Sequence, residues 1–139
     1  MTDETYRAEA NGPVRTIERR TKQMTKRILL AEDGKETQAV VRQILVSEGF
    51  DVKAVGTGTD AVNALAHGTF HAAILDLGLP DVSGLDVLKR LRAEGSKIPV
   101  IVISGRDDHP SPTIKENAQG YLTKPFTLEA LRVQIERWI

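Results

Sequence analysis

The 139 residues carry 19 Lys/Arg against 19 Asp/Glu, 40% apolar residues and no cysteine. That length fits one domain with a real core, and the balanced charge gives no global reason to bind nucleic acid or a membrane. Without cysteine there is no disulfide, thiolate metal site or cysteine nucleophile. No apolar run approaches membrane-spanning length or forms a signal-peptide core, which points to the cytoplasm.

Residues 1–26 are polar and broken at Gly12-Pro13, and they read as a flexible extension ahead of a domain over 27–139. Residues 1–27 hold seven Lys/Arg against four Asp/Glu. Val14–Lys26 is at most a weak basic helix. The run Arg15, Arg19, Arg20, Lys22, Lys26 and Arg27 reads as solvated surface rather than a nucleic-acid arm.

Arg27–Ala31 (RILLA) is a short apolar run and predicts a buried strand that ends on Glu32-Asp33. Lys35–Glu48 spaces Ala39, Val40, Ile44 and Leu45 as a helix does and stops at Gly49. Val52–Val55 predicts a second strand, and Asp60–His67 a helix with Ala61, Val62, Leu65 and Ala66 inward. Ala72–Leu75 is a third buried strand running into Asp76, after which Gly78, Pro80 and Gly84 turn the chain. Leu85–Glu94 is a helix with Leu85, Leu88 and Leu91 inward and Lys89, Arg90 and Arg92 outward. Pro99–Ser104 (PVIVIS) is the most apolar strand. Pro110 and Pro112 then leave room only for a short fourth helix, roughly Thr113–Ala118. Tyr121–Leu122 is a brief strand, and Thr127 caps a final helix over Leu128–Trp138. Strands alternating with helices over short connections specify a parallel sheet covered on both faces.

In such a sheet the C-terminal strand ends share one edge, where ligands collect. That edge gathers Glu32, Asp33, Asp76, Ser104 and Lys124. Three carboxylates in one cleft repel one another, and a hard divalent cation such as Mg2+, with Mn2+ able to replace it, is the ordinary remedy. An aspartate can attack phosphorus to form an aspartyl phosphate, with a metal, a lysine and a hydroxyl neutralising the transferred group. The ordinary alternative for Asp76 alone is a side-chain cap on the loop that follows it.

The stretches ILLAED, ILDLGLPDVSGLDVLKRLR, PVIVIS and YLTKPF, in that order and spacing, resemble a response-regulator receiver domain of two-component signalling over Arg27–Ile139. The resemblance implies a flavodoxin-like, doubly wound α/β fold with five parallel strands in the order 2-1-3-4-5 and five helices, the fourth short or irregular. It implies Asp76 as phosphoacceptor; Asp33 and Asp76 as direct Mg2+ ligands, with Glu32 orienting metal-bound water; and the main-chain carbonyl of Leu77 as third protein ligand. It further implies Ser104 as the hydroxyl that follows the phosphoryl group, Lys124 as its cationic partner, Tyr121 as a switching aromatic and a cis Lys124–Pro125 bond. Gly78 and Gly105 stand where the family usually carries side chains, and the Ser104–Lys124 segment is shorter than usual.

The function this implies is a single-domain regulator, since no output domain follows Trp138-Ile139. It would be phosphorylated by a sensor histidine kinase or a histidine phosphotransfer protein. It would signal to a protein target through the fourth helix, fifth strand and fifth helix. It is a signalling protein rather than a metabolic enzyme. Two alternatives stand beside this reading. One is a receiver-shaped interaction module that works without phosphorylation. The other is an aspartyl phosphatase, which commonly shows a second acid where this chain has Gly78. Asp81 and Asp86, and the loop residues Asp107, Asp108 and His109, read as solvated.

Overall fold

A computed structural model describes residues 26–105 and 110–139. Residues 1–25, which hold all the extension's basic residues except Lys26, and the loop residues Asp107, Asp108 and His109 lie outside the described residues. The elements run β1 Arg27–Ala31, α1 Lys35–Ser47, β2 Asp51–Val55, α2 Gly58–His67, β3 Ala72–Asp76, α3 Gly84–Ala93, β4 Val100–Ser104, α4 Pro112–Asn117, β5 Gly120–Thr123 and α5 Leu128–Trp138. All strand pairs are parallel, and the sheet order is β2-β1-β3-β4-β5. The fold is therefore the flavodoxin-like, doubly wound one.

Side chains alternate across a strand, so each inner strand feeds two cores. Leu29, Ala73, Leu75, Val100 and Val102 pack against α2, α3 and Ile114 of α4. Ile28, Leu30, Ile74, Ile101 and Ile103 pack against α1 and α5. Every residue of β3 and β4 is buried, which is why both read as continuous apolar runs. The edge strand β2 exposes Asp51 and Lys53, charges that discourage further pairing.

Helix ends explain most of the differences from the sequence reading. Thr57, Ser83 and Ser111 each accept the amide three residues on, so α2, α3 and α4 start one or two residues earlier than predicted. Gly49 and Gly95 end α1 and α3 with φ of 99° and 90°, the left-handed turn that glycine adopts freely. In α1 the inward side chains are Val41, Ile44 and Leu45; Ala39 and Val40 are exposed, as is Ala66 of α2. Arg92 is half-buried rather than outward with Lys89 and Arg90.

Asp81 is not a merely solvated turn residue. It holds φ of 64°, a conformation that Asp tolerates better than most residues, and its Oδ1 accepts the Thr59 amide at 3.1 Å. It thereby ties the β3–α3 loop to the start of α2, where Pro80 O also accepts the Gly58 amide. A hydrogen bond from the Thr59 side chain, with backbone donors at Val82, Thr59 and Gly58, holds the Asp81 carboxyl below its ordinary 3.8 against a smaller upward push from desolvation. A depressed folded value contributes stability above the unfolded value that is lost as pH falls through the folded one. Asp81→Asn, which keeps the shape and the left-handed tolerance, is expected to melt below the parent near neutrality. The gap should close as pH drops below 3.8; thermal melts across pH check this.

Candidate functional site

The sheet register assembles the site. Ala31 pairs with Leu75 and Asp76 with Ile103, so Glu32 and Asp33 leave β1 beside Asp76, and Ser104 leaves β4 on its other side. Ser104 pairs with Thr123, and the Lys124 amide donates to the Ser104 carbonyl at 2.7 Å. The chain reverses its winding between β1 and β3, and the crevice at such a switch point is where open α/β sheets take their ligands.

Glu32, Asp76 and Ser104 are 0%, 3% and 4% exposed, whereas Asp33 faces solvent. One oxygen from each of Glu32, Asp33 and Asp76 lies within 4.8 Å of the others. At an effective dielectric near 20, each such pair of charges repels by about 3.5 kcal/mol. Lys124 Nζ offsets part of this, 3.1 Å from Asp76 Oδ2 and 3.0 Å from both Glu32 oxygens. Of these two Glu32 contacts only that to Oε2 is directed as a hydrogen bond, and the buried Oε1 has no hydrogen-bond donor among the described residues. Burial pushes the Glu32 carboxyl above 4.5; the Gly34 amide and Lys124 pull it down, and the Asp76 charge pushes it up again. For Lys124, burial lowers the pKa, but its hydrogen bonds to Glu32 and Asp76 and their charges outweigh that and raise it above 10.5.

Among the described residues, three carboxylates and one ammonium leave two negative charges in the crevice. That is the charge a divalent cation would balance, and the oxygens are the hard donors Mg2+ takes. The donorless Glu32 Oε1 fits the same ion or its water shell. Asp76 serves the loop as well: its Oδ1 accepts the Gly78 amide at 2.9 Å while Oδ2 faces Lys124. The Leu77 carbonyl, expected as a ligand, accepts the Gly84 amide at 3.3 Å and so faces the start of α3. The Lys124–Pro125 peptide bond is cis.

A cavity of about 640 Å³ opens from this cluster toward α4. Asp33, Asp76, Ser104 and Lys124 share its lining with Leu85, Ile114 and Tyr121. A Cβ at Gly78 would stand 3.6 Å from Asp76 Oδ1, and one at Gly105 would meet nothing within 4 Å among the described residues. Two positions around the carboxylate are thus free of side chains.

The family model of the response regulator receiver domain matches residues 28–136. The chain belongs to that family. As a receiver domain it is 40% identical over 111 residues to response regulator protein PmrA of Pseudomonas aeruginosa, covering 78% of this chain and 50% of that one. It is 38% identical over 110 residues to the uncharacterized transcriptional regulatory protein YkoG of Bacillus subtilis, covering 78% and 48%. The receiver thus spans about half the length of these curated relatives. Among solved structures, a CheY-like receiver domain from Methylobacillus flagellatus is 28% identical with a TM-score of 0.73, covering 82% of this chain and 98% of that one. The receiver domain of sensor histidine kinase PA1611 from Pseudomonas aeruginosa is also 28% identical, with a TM-score of 0.70 and coverage of 81% and 96%. That structure has a magnesium ion coordinated in its active-site cleft. Receiver domains are signalling proteins of two-component systems. Among the described residues of this one, no helix is long and apolar enough to cross a membrane.

Proposed function

We propose that this receiver is a phosphorylatable switch in which Asp76 is the phosphoacceptor. The observation that carries the reading is the buried Asp76 held 3.1 Å from Lys124, among oxygens that, with the other described residues, leave a net two negative charges. An Asp76 oxygen attacks phosphorus in a phosphohistidine of a sensor kinase or phosphotransfer protein. The O–P bond forms as the N–P bond breaks, and the imidazole keeps the electron pair and takes up a proton. Lys124 and the Ser104 hydroxyl bind the transferred phosphoryl oxygens. When bound, Mg2+ supplies charge neutralisation for that group. Asp33, Asp76 and a water set by Glu32 would hold it, with a main-chain carbonyl of the Leu77–Gly78 turn as the third protein ligand.

The donor protein has a seat beside the site. An apolar groove of about 420 Å³ between α1 and the start of α5 is lined by Val40, Val41, Phe126 and Leu128, and Lys124 borders both this groove and the acidic cavity. The altered surface would be read at α4, β5 and α5, with Tyr121 following Ser104. The test is incubation with a labelled small phosphodonor, with and without Mg2+. One hydroxylamine-labile phosphoryl group per chain, formed only with the metal, is expected; no label under any condition would leave the interaction module that works without phosphorylation.

Magnesium should raise the melting temperature of the parent by linkage and leave Asp33→Ala unmoved. The pH dependence follows from Glu32. A carboxyl whose folded pKa lies above 4.5 stabilises the metal-free protein most below that value, and this contribution is lost as pH rises through the folded value. The metal needs the ionised carboxylate, so its stabilisation should grow over the same window. Melts with and without Mg2+ at several pH values measure both slopes; parallel curves would count against the site.

A further inference from the structure

Among the described residues, helix α4 is held unevenly. Its six residues bury one side chain, Ile114, and its first turn is capped by its own Ser111. Its last turn is fixed from outside. Arg92, in the last turn of α3, donates from Nε to the Asn117 carbonyl at 2.9 Å, from Nη1 to the Ser96 carbonyl at 3.1 Å and from Nη2 to Gln119 Oε1 at 3.1 Å. Gln119 in turn binds both backbone groups of Val100, the first residue of β4: its Oε1 accepts the Val100 amide at 2.7 Å and its amide donates to the Val100 carbonyl at 2.9 Å. One guanidinium therefore joins the end of α3, the start of β4, the end of α4 and the approach to β5. A helix C-terminus offers unpaired carbonyls at the negative end of its dipole, and a planar cation with several donors suits it. The opposite end of α4 borders the acidic cavity, where Pro110, Ser111 and Ile114 share the lining with Asp76 and Ser104.

We propose that Arg92 is the pivot of α4: when a phosphoryl group occupies Asp76, the Ser111 end of the helix turns toward the cavity while the Asn117 end stays pinned. This rests on the reading of Asp76 as acceptor. The pin is made in both arrangements, so Arg92 favours neither. It confines the change to a rotation and leaves the balance between states to the site. A latch, made in one state and broken in the other, would shift that balance when removed.

The full chain is compared with Arg92→Gln and Arg92→Lys by hydrogen exchange and amide chemical shifts, each alone and with Mg2+ plus beryllium fluoride as a phosphoryl mimic. The two helical bonds to watch are Lys115 N–H to Ser111 O and Ala118 N–H to Ile114 O. In the metal-free parent, Ala118 should be better protected than Lys115. Arg92→Gln should speed exchange at Ala118 by about tenfold, as expected for loss of a local tether, and Arg92→Lys, keeping one donor, should fall between. With the mimic, amides of Ser111–Ile114 should shift while Asn117 and Ala118 stay still in the parent and move in Arg92→Gln. Mimic affinity should stay within about twofold across the three proteins, as a pivot requires. Unchanged exchange over Ile101–Ile103 shows that the sheet is intact; if Arg92→Gln does not fold, Arg92→Lys carries the comparison. Ala118 protection indifferent to Arg92, Asn117 shifting as far as Ile114 in the parent, or a tighter-binding Arg92→Gln each overturns the pivot. A mimic that fails to bind the parent instead refutes Asp76 as acceptor, and the metal-free exchange still decides whether the pin exists.

Discussion

Asp76→Asn is expected to take up no phosphoryl group while keeping its fold, and to melt no lower than the parent in the absence of Mg2+. The amide retains an acceptor for the Gly78 N–H, so the loop after β3 keeps its tether. It is a poor nucleophile, so chemistry at this position stops. The stability follows from charges. Asp76 repels Glu32 and Asp33 by about 3.5 kcal/mol each at an effective dielectric near 20, and Lys124 at 3.1 Å returns about 5 kcal/mol on the same scale. The balance is slightly unfavourable before the desolvation of a 3% exposed carboxylate is added. Lys124 keeps Glu32 as partner in the variant. Phosphodonor labelling and thermal melts with chelator test both halves. Labelling at the parent's rate, or a variant several degrees less stable, would sink the assignment.

Gly84→Ala should be strongly damaging. A Cβ there would stand 2.2 Å from the Asp76 carbonyl oxygen, 2.8 Å from its carbon and 2.9 Å from Leu77 Cα. These are backbone atoms of the strand that carries the acceptor, so no side-chain rotation relieves the overlap. The start of α3 must move off β3. The expected cost is about 3 kcal/mol, typical of overpacked positions, far above the gain in helix propensity of up to about 1 kcal/mol. Displacing β3 should also slow phosphoryl uptake. Gly105→Ala, with nothing among the described residues within 4 Å of its added methyl, is the control and should match the parent. Urea titrations of both variants give the answer; a Gly84→Ala midpoint equal to that of the control would show that the close approach is not obligatory.

The strand-end residues were legible in the sequence because each buried run ends abruptly on a polar side chain, and a parallel sheet brings all such ends to one edge. Glu32, Asp33, Asp76, Ser104 and Lys124 accordingly converge. Backbone directions were not legible. The Leu77 carbonyl turns to Gly84 because the loop geometry after β3 dictates it, and hydrophobic period says nothing about that. Contacts between distant loops were equally silent: Asp81 meets Thr59 across 22 positions, and Arg92 meets Asn117 across 25. A period of 3.6 places Arg92 on a helix flank; whether that flank faces water or another helix is settled by where α4 packs. The short α4 itself followed from Pro110 and Pro112, since proline sets where a helix can begin.

The sheet separates the duties of its two edges. The C-terminal ends of β1, β3, β4 and β5, with the residues that follow them, carry the carboxylates, hydroxyl and lysine. Those entering the strands, such as residues 68–71 before β3, lie at the far edge with Thr69 exposed. Residues added beside Thr69 would lengthen a loop without shifting either core register, at an entropic cost that grows only with the logarithm of loop length. One residue added inside β3 would exchange the side chains of the two cores and carry Asp76 out of line with Lys124. A fluorescent or affinity label therefore belongs at the edge remote from the acidic crevice, where the scaffold tolerates a change of length that its strands do not.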